Sequence, residues 1–263
     1  MSARLLDTIT VEKPWGRDVL PAPFTRGEDA RVGEIWFDPP PEWPDVLVKY
    51  LFTSEKLSVQ VHPDDASAPP GSRGKEECWL VLDAEPGANL AAGFTRDVGQ
   101  TELRDAATSG TIENLLTWHD VARGDFFYLP ARTVHAIGAG LTILEVQQNS
   151  DITYRLYDYG RPRELHLDEA VAVADAGPYP DHNRDRFDLE HESEIVTGPY
   201  FSMAIVVAGE EAAGALGDRL FLPLRGSVTA SGVTGAAGSC LFVPEGEPAL
   251  LEAGAVAIMV ERP

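Results

Sequence analysis

The sequence predicts a mainly β protein made of two successive β units with a few short helices, and three observations lead there. Short apolar runs bounded by turn residues dominate the chain. Their spacing suits a sandwich or barrel rather than alternating strand–helix units. A polar, charged stretch that begins near Pro178 separates a longer first set of runs from a shorter second one.

The runs are Val46–Phe52, Leu57–Val61, Trp79–Leu82, Phe126–Leu129, Leu141–Gln147, Tyr200–Val207, Leu220–Leu224, Cys240–Val243 and Ala255–Val260. Each is rich in Val, Ile, Leu, Phe or Tyr and flanked by Gly, Pro, Asp or Asn, the composition of strands and the turns between them. Helical patterns are few. Thr101–Ala107 opens with a Thr able to cap, followed by Glu102. Thr111–Trp118 places Ile112, Leu115 and Leu116 on one helical face, and Leu167–Ala174 is a third helix with Gly177-Pro178 as its stop signal. The stretch Pro178–Glu194 reads as the connection between the two units.

The chain has 263 residues, 44% of them apolar, with 24 Gly and 20 Pro, enough to bury a core and turn often. Its 42 acidic and 21 basic side chains give a net charge of -21. Such a surface repels nucleic-acid phosphates and anionic membranes, so neither is an expected partner. An anionic ligand would therefore need a local cluster of cations. Cys78 and Cys240 are too few and too far apart for a disulfide framework or a CxxC zinc motif, which suits a reducing compartment. No stretch approaches the roughly 18 apolar residues of a membrane helix, and the N-terminus lacks a signal-peptide core. The expectation is a cytoplasmic protein.

Two segments carry chemistry. In Leu57-Ser58-Val59-Gln60-Val61-His62-Pro63, strand alternation sets Ser58, Gln60 and His62 on one face and Leu57, Val59 and Val61 on the other. A polar inner row needs something to satisfy it. The second segment runs from Gly124 to Ala136 and delivers His135 after a turn containing Pro130. Between them, Gly74-Lys75-Glu76-Glu77-Cys78-Trp79 opens another strand. Imidazole nitrogens with carboxylate or amide oxygen make a shell suited to a divalent first-row metal. The residues alone leave two readings open, a metal site or a polar row satisfied within the protein.

Read as words, these segments resemble type I mannose-6-phosphate isomerases of the short bacterial form, members of the cupin superfamily. Trp15-Gly16, Val32-Gly33-Glu34-Ile35-Trp36, LSVQVHPDD at 57–65, Lys75-Glu76-Glu77-Cys78-Trp79, LDAEPGA at 82–88, Gly93-Phe94 and the run from Gly124 to Arg161 carry the resemblance. It covers roughly residues 10–175 and fades to a weak cupin-like pattern from about 186.

The resemblance implies two cupin units, that is jelly-roll β-barrels. Residues 1–177 would form a catalytic unit with a small helical insert at about 97–119. Residues 178–263 would form a linker and a degenerate cupin without metal, since no histidine follows His191. It implies interconversion of mannose 6-phosphate and fructose 6-phosphate by proton transfer through an enediol. One divalent metal, zinc first, would be held by Gln60, His62, Glu77 and His135. Arg155 and Lys75 would be catalytic, and Ser58, Lys49 and Arg161 would bind the substrate phosphate. Glu145 would support a ligand histidine or be an ordinary strand residue. Trp15, Trp36 and Trp79 are expected in the core. Glu76 departs from the pattern by adding a charge beside Glu77, which either perturbs the site or faces away. The partner is a small phosphorylated sugar, and the oligomeric state, monomer or homodimer, stays open. Two other readings are compatible with the residues: a cupin acting on another sugar, or a non-catalytic sugar-binding cupin with a structural metal.

Overall fold

The computed structural model describes residues 2–25, 30–208 and 217–263. Every apolar run singled out above lies on a strand whose ends fall within two residues of the expected ones. The fold is mainly β, and every named strand pair is antiparallel.

A seven-stranded sheet has the spatial order Arg184–Arg186, Asp125–Leu129, Glu77–Ala84, Leu141–Gln148, Val46–Phe52, Val32–Phe37, Thr8–Arg17. A five-stranded sheet packs on it in the order Tyr154–Tyr157, Val59–Val61, His135–Ile137, Asn89–Phe94, Leu116–Asp120. Later in the chain come a six-stranded and a three-stranded sheet. The six strands are Arg4–Leu5, Leu241–Val243, Arg219–Arg225, Val256–Glu261, Ser202–Val207 and Ser193–Thr197, and the three are Val233–Ala236, Ser227–Ala230 and Leu250–Leu251. Pairing crosses position 177/178 in both directions. Arg4–Leu5 pairs with Leu241–Val243 of the later sheet, and Arg184–Arg186 pairs with Asp125–Leu129 of the earlier one.

Strand alternation sorts the side chains into layers. On Val46–Phe52, the side chains of Val46, Val48, Tyr50 and Phe52 join one large core with Leu144, Val146, Cys78 and Leu80 from neighbouring strands. That core also takes Met203, Ile205, Leu220, Leu222, Val256, Ile258 and Val260 from the six-stranded sheet, so the two large sheets pack face to face. Leu51, Trp79, Val81, Phe127 and Ile143 point the other way and meet Leu90, Ala92 and Ile137 of the five-stranded sheet. The outer face of the five-stranded sheet, including Val59 and Val61, is covered by helices Gln100–Ser109 and Leu167–Val173. The three-stranded sheet closes over a smaller apolar interior around Phe221, Val228, Leu241 and Val243.

The helical expectations need three corrections. Helix Gln100–Ser109 is capped by Gly99 with no side-chain bond, because the helix starts one residue before Thr101. Its end depends on Gly110, which has φ 79° and whose missing Cβ leaves room for the Tyr157 ring. Thr111–Trp118 is not a helix. It is a single 3-10 turn, Thr111–Asn114, followed by strand Leu116–Asp120, because the sheet edge at Asn89–Phe94 offers pairing that outweighs the helical spacing. The third helix ends at Val173, four residues before Gly177, with Ala174 already extended. The stretch after Pro178 contains a 3-10 turn and two strands rather than a plain connection. Among the described residues no helix is long and apolar enough to cross a membrane.

Candidate metal centre

The polar row forms where the seven-stranded and five-stranded sheets face each other. Gln60 sits mid-strand, opposite His135 on one neighbour and Arg155 on the other, so these three side chains lie in line across the five-stranded sheet. From the facing sheet, Trp79, Glu145, Lys49 and Trp36 stand opposite one another across four strands, with Glu77 and Gln147 one step along. His62 follows its strand and Lys75 precedes the strand of Glu77. Leu57 departs from the expected alternation: strand pairing begins only at Val59, and Leu57 joins the inner core beside Trp79 instead of the outer one with Val59 and Val61.

His62, Glu77 and His135 form the metal-competent cluster among the described residues, with ligand atoms all within 4.8 Å of one another. His62 Nε2 lies 3.7 Å and His135 Nε2 3.4 Å from the Glu77 carboxylate. Each ring donates its Nδ1 proton to a main-chain carbonyl, Ile152 at 2.7 Å and Thr133 at 2.9 Å. That fixes the tautomer and turns both Nε2 lone pairs toward Glu77, the arrangement of metal-binding histidines. All three residues are buried. Burial first, then the charge of Lys75 and the neighbouring His135, pushes His62 well below its usual range. Burial also lowers His135, against the pull of Glu77. Both imidazoles are therefore neutral. Burial alone would raise Glu77, but Lys75, His135 and Lys49 hold it below the ordinary carboxylate range.

These residues fit a divalent cation. Lys75 Nζ pairs with Glu77 Oε2 at 2.9 Å, while Glu77 Oε1 has no donor among the described residues. A buried carboxylate with one oxygen paired to a lysine and the other left without a donor, set between two neutral imidazoles, is a donor set suited to a cation. Gln60 adjoins the cluster, with its Nε2 3.2 Å from His135 Nε2 and its Oε1 accepting from Ser58 Oγ at 3.1 Å.

Above the cluster opens a cavity of about 520 Å³ whose walls include Ser58, Gln60, Lys75, Lys49, Glu145 and Arg155. Lys75 Nζ is 3.2 Å from His62 Nε2 and 3.8 Å from Glu145 Oε1. Lys49 is buried; despite that burial, Glu145 at 2.8 Å, with Glu34 and Glu77, raises its pKa. Glu145 makes no direct hydrogen bond to a ligand histidine among the described residues, though its charge raises His135. It anchors two buried lysines and accepts from Trp79 Nε1 at 3.1 Å. Arg155 has a buried Nε without a partner among the described residues, and burial followed by the nearby Arg163 lowers its pKa.

The structure does not bring Arg161 to this cavity. Its guanidinium pairs with Asp158 at 3.1 Å and Glu55 at 3.0 Å and donates to the Lys56 carbonyl. Arg163, which sequence reasoning missed, lines the cavity instead, held by Asp158 through two bonds of 2.6 Å. Trp79 and Trp15 are buried as expected, whereas Trp36 is a half-buried wall of the cavity whose Nε1 donates to Glu34 at 2.5 Å. Lys13, Glu34 and Gln147 are further wall residues that went unnamed. Only strand alternation from Lys49 and Glu145 would have found Gln147. Glu76 faces away, its carboxylate accepting from Tyr128.

No protein-family model matches the chain. It is 40% identical over 168 residues to the mannose-6-phosphate isomerase of Streptococcus mutans, an alignment covering 60% of this chain and 53% of that protein. It is 42% identical over 174 residues to mannose-6-phosphate isomerase ManA of Bacillus subtilis, covering 60% and 54%. The chain thus spans about half the length of the curated relatives it matches. Its fold matches the crystal structure of the mannose 6-phosphate isomerase from Bacillus subtilis with a TM-score of 0.81 and 28% identity, over 99% of this chain and 100% of that one. A zinc-bound mannose 6-phosphate isomerase shares the fold with a TM-score of 0.73 at 14% identity, over the whole of both chains. These findings agree with the resemblance read in the residues.

Proposed function

We propose that the chain is a metal-dependent aldose–ketose isomerase that interconverts mannose 6-phosphate and fructose 6-phosphate. The observation that carries this reading is the buried His62–Glu77–His135 cluster, joined through Gln60 and Lys75 to a cavity whose walls also carry Lys13, Lys49, Arg155 and Arg163. In a chain of net charge -21, five cations against the carboxylates of Glu34, Glu145 and Asp151 on the walls of one cavity suit a phosphorylated sugar. The similarity to curated isomerases over more than half the chain supports the same substrate.

His62, Glu77 and His135, joined by Gln60, would hold one divalent ion, zinc first. For Gln60 to bind through Oε1 its amide turns over, and Ser58 Oγ then accepts from Nε2. The bound ion supplies Lewis-acid stabilisation of negative charge developing on a sugar oxygen. The chain does the rest. One proton leaves C2 and one returns to C1 while the hydroxyl proton passes from O2 to O1, so the formula is unchanged. Lys75 lies between the ligands and the cavity and is the proposed proton-transfer group. Arg155, opposite Gln60, has a buried Nε without a partner among the described residues and would stabilise the enediolate oxygen. Lys49, neutralised by Glu145, works mainly by holding Glu145 and the wall in place. The phosphate would rest against Ser58 and the Arg163 side of the cavity, with Arg163 taking the part expected of Arg161. Residues 1–177 would carry the site, with 178–263 a metal-free cupin completing the fold. Two buried free cysteines suit a cytoplasmic location.

The test is an assay of fructose 6-phosphate formation from mannose 6-phosphate with purified protein, before and after chelation and after zinc is restored. Turnover that falls on chelation and returns with zinc is expected. No turnover at any zinc level sinks the isomerase reading, and turnover indifferent to chelation sinks the role of the cluster.

A further inference from the structure

Gln147 has a feature that the metal chemistry leaves unused. It lies on strand Leu141–Gln148, where Leu144 and Val146 face the core between the large sheets and Glu145 and Gln147 face the cavity. Its cross-strand partners are Glu77, the central carboxylate of the cluster, and Leu47. Side chains directly opposite on neighbouring strands sit about 5 Å apart at Cβ, so Gln147 flanks the cluster itself.

The amide is 1% exposed, and its orientation is fixed. Nε2 donates to the carbonyls of Gln148 and Ser150, each at 2.8 Å, which uses both of its hydrogens. Turning the amide over would set its oxygen against those two carbonyl oxygens. Oε1 is therefore held on the opposite side, buried and without a donor among the described residues. A buried acceptor locked in place and left unpaired belongs to a partner that arrives with the ligand. Metal coordination does not need it, since Glu77, His62 and His135 already converge.

We propose that Gln147 Oε1 accepts a hydrogen bond from a substrate hydroxyl next to the metal ligands and thereby makes the cavity select sugars that carry that hydroxyl. The inference rests on the phosphosugar reading above and names a specificity residue within it. A site built to pair a hydroxyl discriminates strongly against the analogue that lacks it, because its own polar group is then stranded.

The experiment is a cycle between protein and ligand. Binding of mannose 6-phosphate and each of its monodeoxy analogues to the zinc-loaded protein is measured by calorimetry for wild type and Gln147→Met, with zinc content and thermal melting as controls. In wild type one deoxy position is expected to weaken binding about tenfold or more. In Gln147→Met that penalty shrinks below about threefold, while the other analogues shift together. Should Gln147→Met lose its zinc or its fold, Gln147→Leu takes its place with the same expectation. Analogues that all weaken equally overturn the proposal, as does a penalty that survives the substitution. A wild type that binds the series but does not turn over mannose 6-phosphate refutes the isomerase reading and leaves the cycle decisive. A wild type that binds none of the series overturns both.

Discussion

Strands Leu141–Gln148 and Val256–Glu261 each run through the middle of a large sheet, one near the midpoint of the chain and one near residue 263. Their outer faces do the same thing: Leu144 and Val146 on the first and Val256, Ile258 and Val260 on the second meet in one shared core. Their inner faces part company. The first turns Glu145 and Gln147 toward Lys49, Lys75 and the His62–Glu77–His135 cluster, whereas the second turns Ala257 and Met259 toward Phe221, Leu241 and Val243. The architecture is therefore not what makes a site. Two large sheets that share one core differ in one alternating row of side chains, and that row decides whether the interior is a charged cavity or an oil-like filling. Charge in the cavity survives burial only because each group answers another, Lys49 with Glu145 and Lys75 with Glu77.

That dependence gives the largest expected effect. Glu77→Ala removes the carboxylate from beside buried Lys75 and deprives the cluster of its central oxygen donor. Stranding one member of a buried pair costs about 3–5 kcal/mol, a fall in melting temperature of roughly 6–20 °C for a chain of this size. Metal analysis on the same sample should show the bound ion lost. A variant that melts like wild type and keeps its metal would break the comparison on the side of the charged cavity.

Phe221→Ala probes the other side. Phe221 is fully buried in the apolar interior beneath the three-stranded sheet. Deleting it should cost about 3–5 kcal/mol of stability in a denaturant titration, while metal content and turnover per folded molecule stay at wild-type levels. Loss of metal from this variant would show that the two interiors are not separable.

The sequence shows one interior much better than the other. Runs such as Val46–Phe52 and Leu141–Gln147 are legible because apolar residues with turn signals at both ends describe a strand wherever it lies. Gln60, His62, Glu77 and His135 could be nominated from residue type and strand parity, and the resemblance sharpened that nomination. What stayed hidden is pairing at a distance. Arg161 and Arg163 are two residues apart, and nothing local says that Asp158 clamps Arg163 toward the cavity while Glu55 draws Arg161 off. Leu116–Asp120 misled for the same reason, since the vacant edge of strand Asn89–Phe94 is invisible from residues 111–118. Arg4–Leu5 joining a sheet more than two hundred residues away is likewise a matter of topology, not of local pattern.

A smaller effect sharpens the view of the charged row. Trp79→Phe keeps the ring near His135 and removes the Nε1–H that reaches Glu145. One Glu145 oxygen then loses its donor in a buried setting, at a cost of about 1–3 kcal/mol. Because Glu145 also anchors Lys49 and lies 3.8 Å from Lys75, turnover should fall together with stability. Unchanged turnover alongside reduced stability would reduce Glu145 to a structural counter-ion.

The smallest effect concerns a contact between distant parts of the chain. Tyr200 donates from the later part of the chain to Asp65, at 2.7 Å, and Asp65 also accepts from Gly74 N–H and Gln148 Nε2. The Tyr200 hydroxyl, then Gly74 and Gln148, holds Asp65 below the ordinary carboxylate range, and the same bond pushes Tyr200 up to about 12. Because Asp65 is exposed, Tyr200→Phe should cost only about 0.5–1 kcal/mol at neutral pH. The sign with pH follows from linkage. A carboxylate whose folded pKa is depressed stabilises the fold above its unfolded value, near 3.9, and that contribution is lost as pH falls through the folded value. Wild type and Tyr200→Phe should therefore differ by a constant amount above about pH 5 and converge as the pH drops below 4, which a set of melting curves across that range would show. A gap that persists at low pH would assign the stabilisation to the packing of the Tyr200 ring instead of its bond to Asp65, and the contact would then be apolar throughout, like the core behind it.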